Sequence, residues 1–272
     1  MKSRSRALGV VAGCSLALAV PSAALAQPVL SELRVEAGGE ALSPPIAYAT
    51  DTARFRTSTS APCNGSGRKV TVEGPTALGI LDHAQAIDRD LRPIHVSDRF
   101  AFGLFVCGID GFLGSGADRF WLYKVNHVSP EVGADRRKLR TGDRVLWYLV
   151  DQASGTNTGQ ELELFAPPRV RPGRSFGVRV FVRAQNGAAT PAAGARIGGQ
   201  TTDANGRATL TAGRARVLVL RAERGDDIPS AHTGVCVSRR LSRCPKRRGQ
   251  VMVMRNRSER VTGGSGADVI FA

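Results

Sequence analysis

Four histidines, His83, His95, His127 and His232, are the side chains best able to move a proton near neutral pH, and their spacing argues against catalysis. No HExxH pair is present, so the helical zinc constellation is missing. The chain also has no GxSxG nucleophile elbow and no GxxxxGK phosphate loop. Asp82, Asp88 and Asp90 lie near His83, but ILDHAQAIDRDL reads as a helix with Ile80, Leu81, Ala84 and Ile87 inward and its charges in solvent. Asp203-Ala204-Asn205-Gly206 lacks the later acidic residues of an EF-hand and reads as a plain turn. Gly263–Phe271, GGSGADVIF, matches a single calcium-binding nonapeptide GGxGxDxUx. Calcium in such repeats sits between stacked turns, so Asp268 is the weak metal candidate and no tight calcium site is expected. No catalytic residue and no cofactor follow from these motifs.

The leader MKSRSR puts three cations ahead of an apolar run ending in Ala24-Leu25-Ala26, which predicts a signal peptide over residues 1–26 and a mature start at Gln27. A second reading takes Val11-Ala12-Gly13-Cys14 as a lipobox and leaves a lipid-anchored Cys14. Ordinary cleavage is preferred because the apolar run before Cys14 is short and continues past it. No later stretch approaches the roughly 18–20 consecutive apolar residues of a membrane span, so a secreted or cell-surface protein is expected. Cys63, Cys107, Cys236 and Cys244 then remain, an even set in an oxidising compartment with no CxxC spacing. Four cysteines allow three pairings; Cys63 with Cys107 and Cys236 with Cys244 keeps each bridge inside one half of the chain. The longer bridge should stabilise by about 3–4 kcal/mol through loop entropy.

The formal charge of +15 falls to +12 once Lys2, Arg4 and Arg6 leave with the signal peptide. Basicity on this scale suggests an anionic partner, although the arginine, alanine and glycine richness also fits GC-rich coding. The charge is most concentrated from Arg239 to Arg260, a stretch without the interleaved aromatics that stack on bases. An anionic cell-envelope polymer or a surface protein is therefore the expected partner, with no specific nucleic acid. Deleting residues 246–272 should lower retention on isolated cell walls at low salt, because exposed charges act through screened attraction.

The elements that would position a site are clearest from Phe120 to Asp151, where two aromatic-rich strand patterns, apolar on both faces, flank a polar turn carrying Gly142-Asp143. Trp121 and Tyr123 share one strand face, and Trp147 lies on the neighbouring strand. These three rings fill a small core, or Trp121 and Tyr123 join Asn126, His127 and Tyr148 in lining a ligand-binding rim. Farther on, Ala166-Pro167-Pro168 and Pro172-Gly173 punctuate the chain. Phe176, Val178, Val180 and Val182 then alternate with Gly177, Arg179, Phe181 and Arg183, a strand with one buried face. Ile197, Ala208, Leu210, Val217 and Val219 mark further short strands.

The order of a strand at Lys69–Glu73, a helical pattern at Ala77–Ala86, CGIDG at Cys107–Gly111, WLYKVN at Trp121–Asn126 and TGDRVLWYL at Thr141–Leu149 resembles the transcobalamin C-terminal-like domain, a β-grasp module. That family often has Gly where this chain has His127, so a turn of different type is expected there. The run PAAGARIGGQTTDANGRATL looks like Ig-like or prealbumin-like sandwich repeats and carboxypeptidase regulatory domains. The chain is thus expected to be mostly β with an α+β part: a β-grasp-like domain over 29–153, an Ig-like β-sandwich over 161–244 and a basic, disordered tail over 245–272. The resemblance implies noncatalytic binding or adhesion at the cell envelope. The alternative is capture of a small corrinoid-like ligand by the first domain.

Overall fold

The computed structural model describes residues 28–114, 118–153, 159–214 and 216–244, with the backbone of 251–253 and 269–271. The described residues are mostly β, with several sheets and one α-helix among them. Two apolar cores divide the chain, one drawn from residues before Asp151 and one from residues after Gln160.

The first module opens with β1 (Val29–Ala37) and β2 (Glu40–Thr50), an antiparallel pair, followed by the short hairpin of β3 (Ala53–Arg56) and β4 (Lys69–Val72). The helix α1 (Gly79–Ile87) starts where Thr76 Oγ1 accepts the Gly79 N–H. Ile80, Leu81 and Ala84 are buried as their spacing predicts. Ile87 departs from expectation at 61% exposure, because the last turn projects beyond the core that covers Ile80. The chain then forms β5 (Ile94–Phe100), β6 (Gly103–Ile109), β7 (Phe112–Leu113), β8 (Arg119–Val125) and β9 (Arg144–Asp151). The main sheet has the order β2-β1-β9-β8, with β1 and β9 parallel at its centre.

That topology explains why β9 is apolar throughout. Val145, Trp147 and Leu149 face the core beneath α1, whereas Leu146, Tyr148 and Val150 face the other way and pack on Ile228 of the second module. A strand covered on both sides has no solvent face on which to place polar residues.

The second module comprises β10 (Glu161–Phe165), β11 (Arg169–Val170), β12 (Ser175–Arg183), β13 (Ala189–Pro191), β14 (Arg196–Ile197), β15 (Gln200–Thr201), β16 (Arg207–Thr211), β17 (Arg216–Leu220) and β18 (Thr233–Val237). One sheet joins β10, β12, β13 and β16, another joins β11, β18 and β17, and both contribute to a common core. Phe176, Val178, Val180 and Val182 are all buried, as the alternation of β12 requires. In the turn at Asp203, its Oδ1 accepts the N–H groups of Asn205 and Arg207 at 2.9 and 2.8 Å. Gly206 has φ of 69°, and a Cβ there would stand 2.3 Å from Val180 O, so only glycine fits.

The bridges are Cys63–Cys107 and Cys236–Cys244, one in each module, which fits an oxidising compartment. Among the described residues, no helix is long and apolar enough to cross a membrane. Val251–Val253 and Val269–Phe271 pair in parallel. Cys14, the rest of the leader, most of the basic tail and Asp268 lie outside the described residues.

Candidate functional site

The five aromatic and polar residues expected to line a rim are distributed over three environments. Trp121 is 2% exposed, and its Nε1 donates to Phe112 O at 2.9 Å. Tyr123 is half-buried, stacks on Trp147 with ring centroids 5.2 Å apart and donates its hydroxyl to Val132 O at 2.6 Å. Burial pushes the Tyr123 hydroxyl up to about 12. Trp147 Nε1 in turn donates to Ala77 O at 3.0 Å, so all three rings are fixed within the first core with their polar ends satisfied.

Asn126 holds the start of β9 against the end of β8. Its Nδ2 donates to Asp143 Oδ1 at 2.8 Å, and its Oδ1 accepts the Arg144 N–H at 2.9 Å. Asn126 and His127 have φ of 52° and 70°, and reciprocal backbone bonds between Val125 and Val128 close a two-residue turn. The position that glycine often occupies in the resembling family thus keeps a left-handed backbone while carrying a histidine.

That histidine and Tyr148 belong to the seam between the modules. His127 Nδ1 lies 2.8 Å from Glu161 Oε2, and its Nε2 lies 2.9 Å from Arg144 Nη2. Arg34, 6% exposed, donates Nε to Glu36 at 2.8 Å, Nη1 to Glu161 at 3.2 Å and Nη2 to Pro229 O. Glu36 also binds Arg221 at 2.8 Å, and Glu163 binds Arg183 at 2.6 Å. A continuous row of ion pairs therefore runs across the two modules, beside the apolar contact of Tyr148, Leu146, Val150 and Ile228.

Burial works against the charged forms of Arg34, His127, Glu161 and Glu163, and their partners decide the balance. Desolvation depresses the basicity of His127, but the bonds from Glu161 and Glu163 outweigh it and its pKa is raised. Desolvation raises Glu163, yet His127 and Arg183 bring it down to about 2. Glu161 is likewise lowered against its own burial by His127 and Arg34. Lys124 is the exception: fully buried, its Nζ has no hydrogen-bond partner among the described residues, and desolvation lowers its pKa.

A cleft of about 320 Å³ opens over the seam, lined by residues including His127, Arg144, Glu161, Glu163 and His232. His127 and Glu161 have the orientation of a base and its orienting carboxylate, but Nε2 faces the Arg144 guanidinium. Among the described residues, no hydroxyl or thiol is hydrogen-bonded to His127. The geometry of the dyad is that of a fastening between modules. No group of three or more potential metal-ligating side chains is found among the described residues.

A second concavity, about 370 Å³, lies between the β5–β6 hairpin and the start of β8, where Phe120 also packs against the seam cluster of Leu146, Tyr148, Val150 and Ile228. The β5–β6 hairpin turns through Ala101 and Phe102, and Gly103, at φ of 124°, lets the chain reverse beside the Asp135 carboxylate. Phe100 and Phe102, 38% and 53% exposed, stack at 5.1 Å, and Phe105 meets them edge-on at 5.3 and 6.2 Å. The Cys63–Cys107 bridge and Phe120 complete the apolar wall, with Arg99 and Arg119 beside it. The Arg99 guanidinium lies over the Phe100 ring, 5.3 Å from its centroid. Sequence reasoning passed over these rings, although the run Arg99-Phe100-Ala101-Phe102-Gly103-Leu104-Phe105 carries the signal: aromatics on both sides of a turn glycine, beside a cation.

Residues 74–151 match the family described as a domain of unknown function, DUF4430, which is associated with transcobalamin-like domains. The match runs from just before α1 to the end of β9 and so contains the β5–β6 hairpin, Asn126 and His127, while Pro62 and Cys63 of the groove precede it. No curated protein matches the chain.

Proposed function

We propose that this is a noncatalytic binding protein of the cell envelope, secreted or surface-held, in which the β-grasp-like module presents the Phe100–Phe102–Phe105 face and the Ig-like module serves as a fixed support. The observation that carries this reading is where the large rings sit. Trp121 and Trp147 occupy the core of the first module and Tyr123 packs half-buried against it, so the rings left for recognition are the exposed Phe100 and Phe102 with Phe105. Two arginines beside that face and the formal charge of +15 favour an anionic partner. The His127–Glu161 dyad supports noncatalytic work, since its outer nitrogen faces a guanidinium.

The filled core gives no support to corrinoid capture within the first module. Retention of the purified protein on isolated cell envelopes, measured across a salt series and beside equilibrium dialysis against a corrinoid panel, tests the choice. The expected outcome is salt-sensitive retention and no corrinoid uptake. Micromolar corrinoid binding with no envelope retention reverses it.

A further inference from the structure

We infer that the groove between the β5–β6 hairpin and the start of β8 binds a free single-chain anionic amphiphile, its alkyl chain along Phe100, Phe102, Phe105 and Phe120 and its head group at Arg99 and Arg119. This rests on the envelope-binding reading for the choice of face, and it names the ligand class.

The chemistry of the lining selects the ligand. Apart from the two guanidiniums, the described side chains lining the groove are rings, a proline and the disulfide, and among the described residues no hydroxyl, amide or carboxylate lines it to orient a sugar or a peptide side chain. An alkyl chain needs no such groups, and the aromatic walls give it apolar contact. The head group would meet two guanidiniums: Arg99, which lies over the Phe100 ring, and Arg119, whose side chain is 35% exposed and whose Nε faces the Asp151 carboxylate at 3.7 Å. An anion at the rim would gain charge-assisted hydrogen bonds from these two groups. At about 370 Å³ the space lies near the lower limit for ligand pockets, which suits one chain. The rings pack on one another as a concave wall, so they form a trough for a chain more readily than a wedge for a bilayer.

Titration calorimetry of the purified protein with dodecanoate, decanoate and dodecyl maltoside, each below its micellar concentration, tests this. Dodecanoate should bind, and decanoate should bind about tenfold more weakly, since each methylene contributes roughly fourfold in affinity. Dodecyl maltoside, lacking the charge, should also bind at least about tenfold more weakly. Phe102→Ser should weaken dodecanoate at least about tenfold, and Arg119→Gln should weaken dodecanoate while leaving dodecyl maltoside unchanged. Circular dichroism of both variants verifies folding. Absence of dodecanoate binding, or binding indifferent to chain length or to both substitutions, overturns the proposal. Binding to anionic phospholipid vesicles without dodecanoate binding overturns it in favour of a bilayer surface. Retention on envelopes that disappears after protease treatment of the envelopes, again without dodecanoate binding, overturns it in favour of a protein partner. Dodecanoate binding without envelope retention sinks the envelope reading and leaves the groove assignment standing.

Discussion

The two faces of the sheet β2-β1-β9-β8 are both buried, by opposite means. Beneath α1, Leu33, Val35, Trp121, Trp147 and Leu149 exclude water with apolar surface, and the two indole N–H groups find backbone carbonyls. On the other face the same strands carry Arg34, Glu36 and Lys124, which the second module covers with Glu161, Arg221 and Ile228. Apolar burial is tolerant of direction and rewards volume, whereas ionic burial is favourable only when every charge meets its partner. The first face therefore holds one module together, and the second fixes the orientation of one module against the other.

Trp147→Ala should be the most damaging single change, lowering unfolding stability by about 4 kcal/mol through a large cavity and the lost bond to Ala77. Urea denaturation followed by tryptophan fluorescence measures it; a loss below about 2 kcal/mol would mean that α1 collapses onto the gap. Glu161→Gln on the opposite face should cost about 3 kcal/mol, because Arg34 and His127 would remain buried without their shared carboxylate. If the cost is only a few tenths, the seam is screened like a surface pair and the contrast between the faces fails. Lys124→Met should raise stability by about 1 kcal/mol, since it removes the charge with no hydrogen-bond partner and keeps the packing volume.

The pH dependence sharpens the same contrast. His127 is raised above its ordinary value, so its contribution is fully present below about pH 6.5 and fades as pH climbs through the raised folded value. The stability difference between the protein and His127→Asn should accordingly be larger at pH 6 than at pH 9. Glu163, lowered to about 2, acts on the acid side: its contribution is present above its ordinary value and disappears as pH falls toward 2. Phe102→Ser, outside both buried faces, should change stability by no more than about 0.5 kcal/mol.

Much of the architecture was legible where a single period dominates. The alternation of Phe176 to Val182 placed β12, and apolar character on both faces of β9 signalled a strand with no free side. The two bridges followed from keeping each pair local. The seam was hidden because Arg34 and Glu36 alternate with Leu33 and Val35, the pattern of a strand with one face in water. Only the position of a second module turns those charges inward, and that position depends on residues more than 120 places away, such as Glu161. His127 and Tyr148 were visible as unusual residues, but their meeting with Glu161 and Ile228 was not encoded nearby. The phenylalanine groove is not legible in the local pattern alone, because the hairpin that stacks Phe100 on Phe102 and the start of β8 that brings Phe120 beside them meet only in the folded chain.

The parallel pairing of β1 with β9 has a consequence for the order of assembly. Glu32 aligns with Arg144, so strands adjacent at the centre of the sheet are 112 positions apart in the chain. A chain made from its amino end at about 5–20 residues per second delivers the second partner roughly 6–22 s after the first. During that interval β1 can pair only with β2, and one long edge stays open to any extended segment that arrives sooner. High contact order then makes closure of the sheet a slow, late event, so a nascent chain halted before Arg144 would be the species most open to intermolecular pairing.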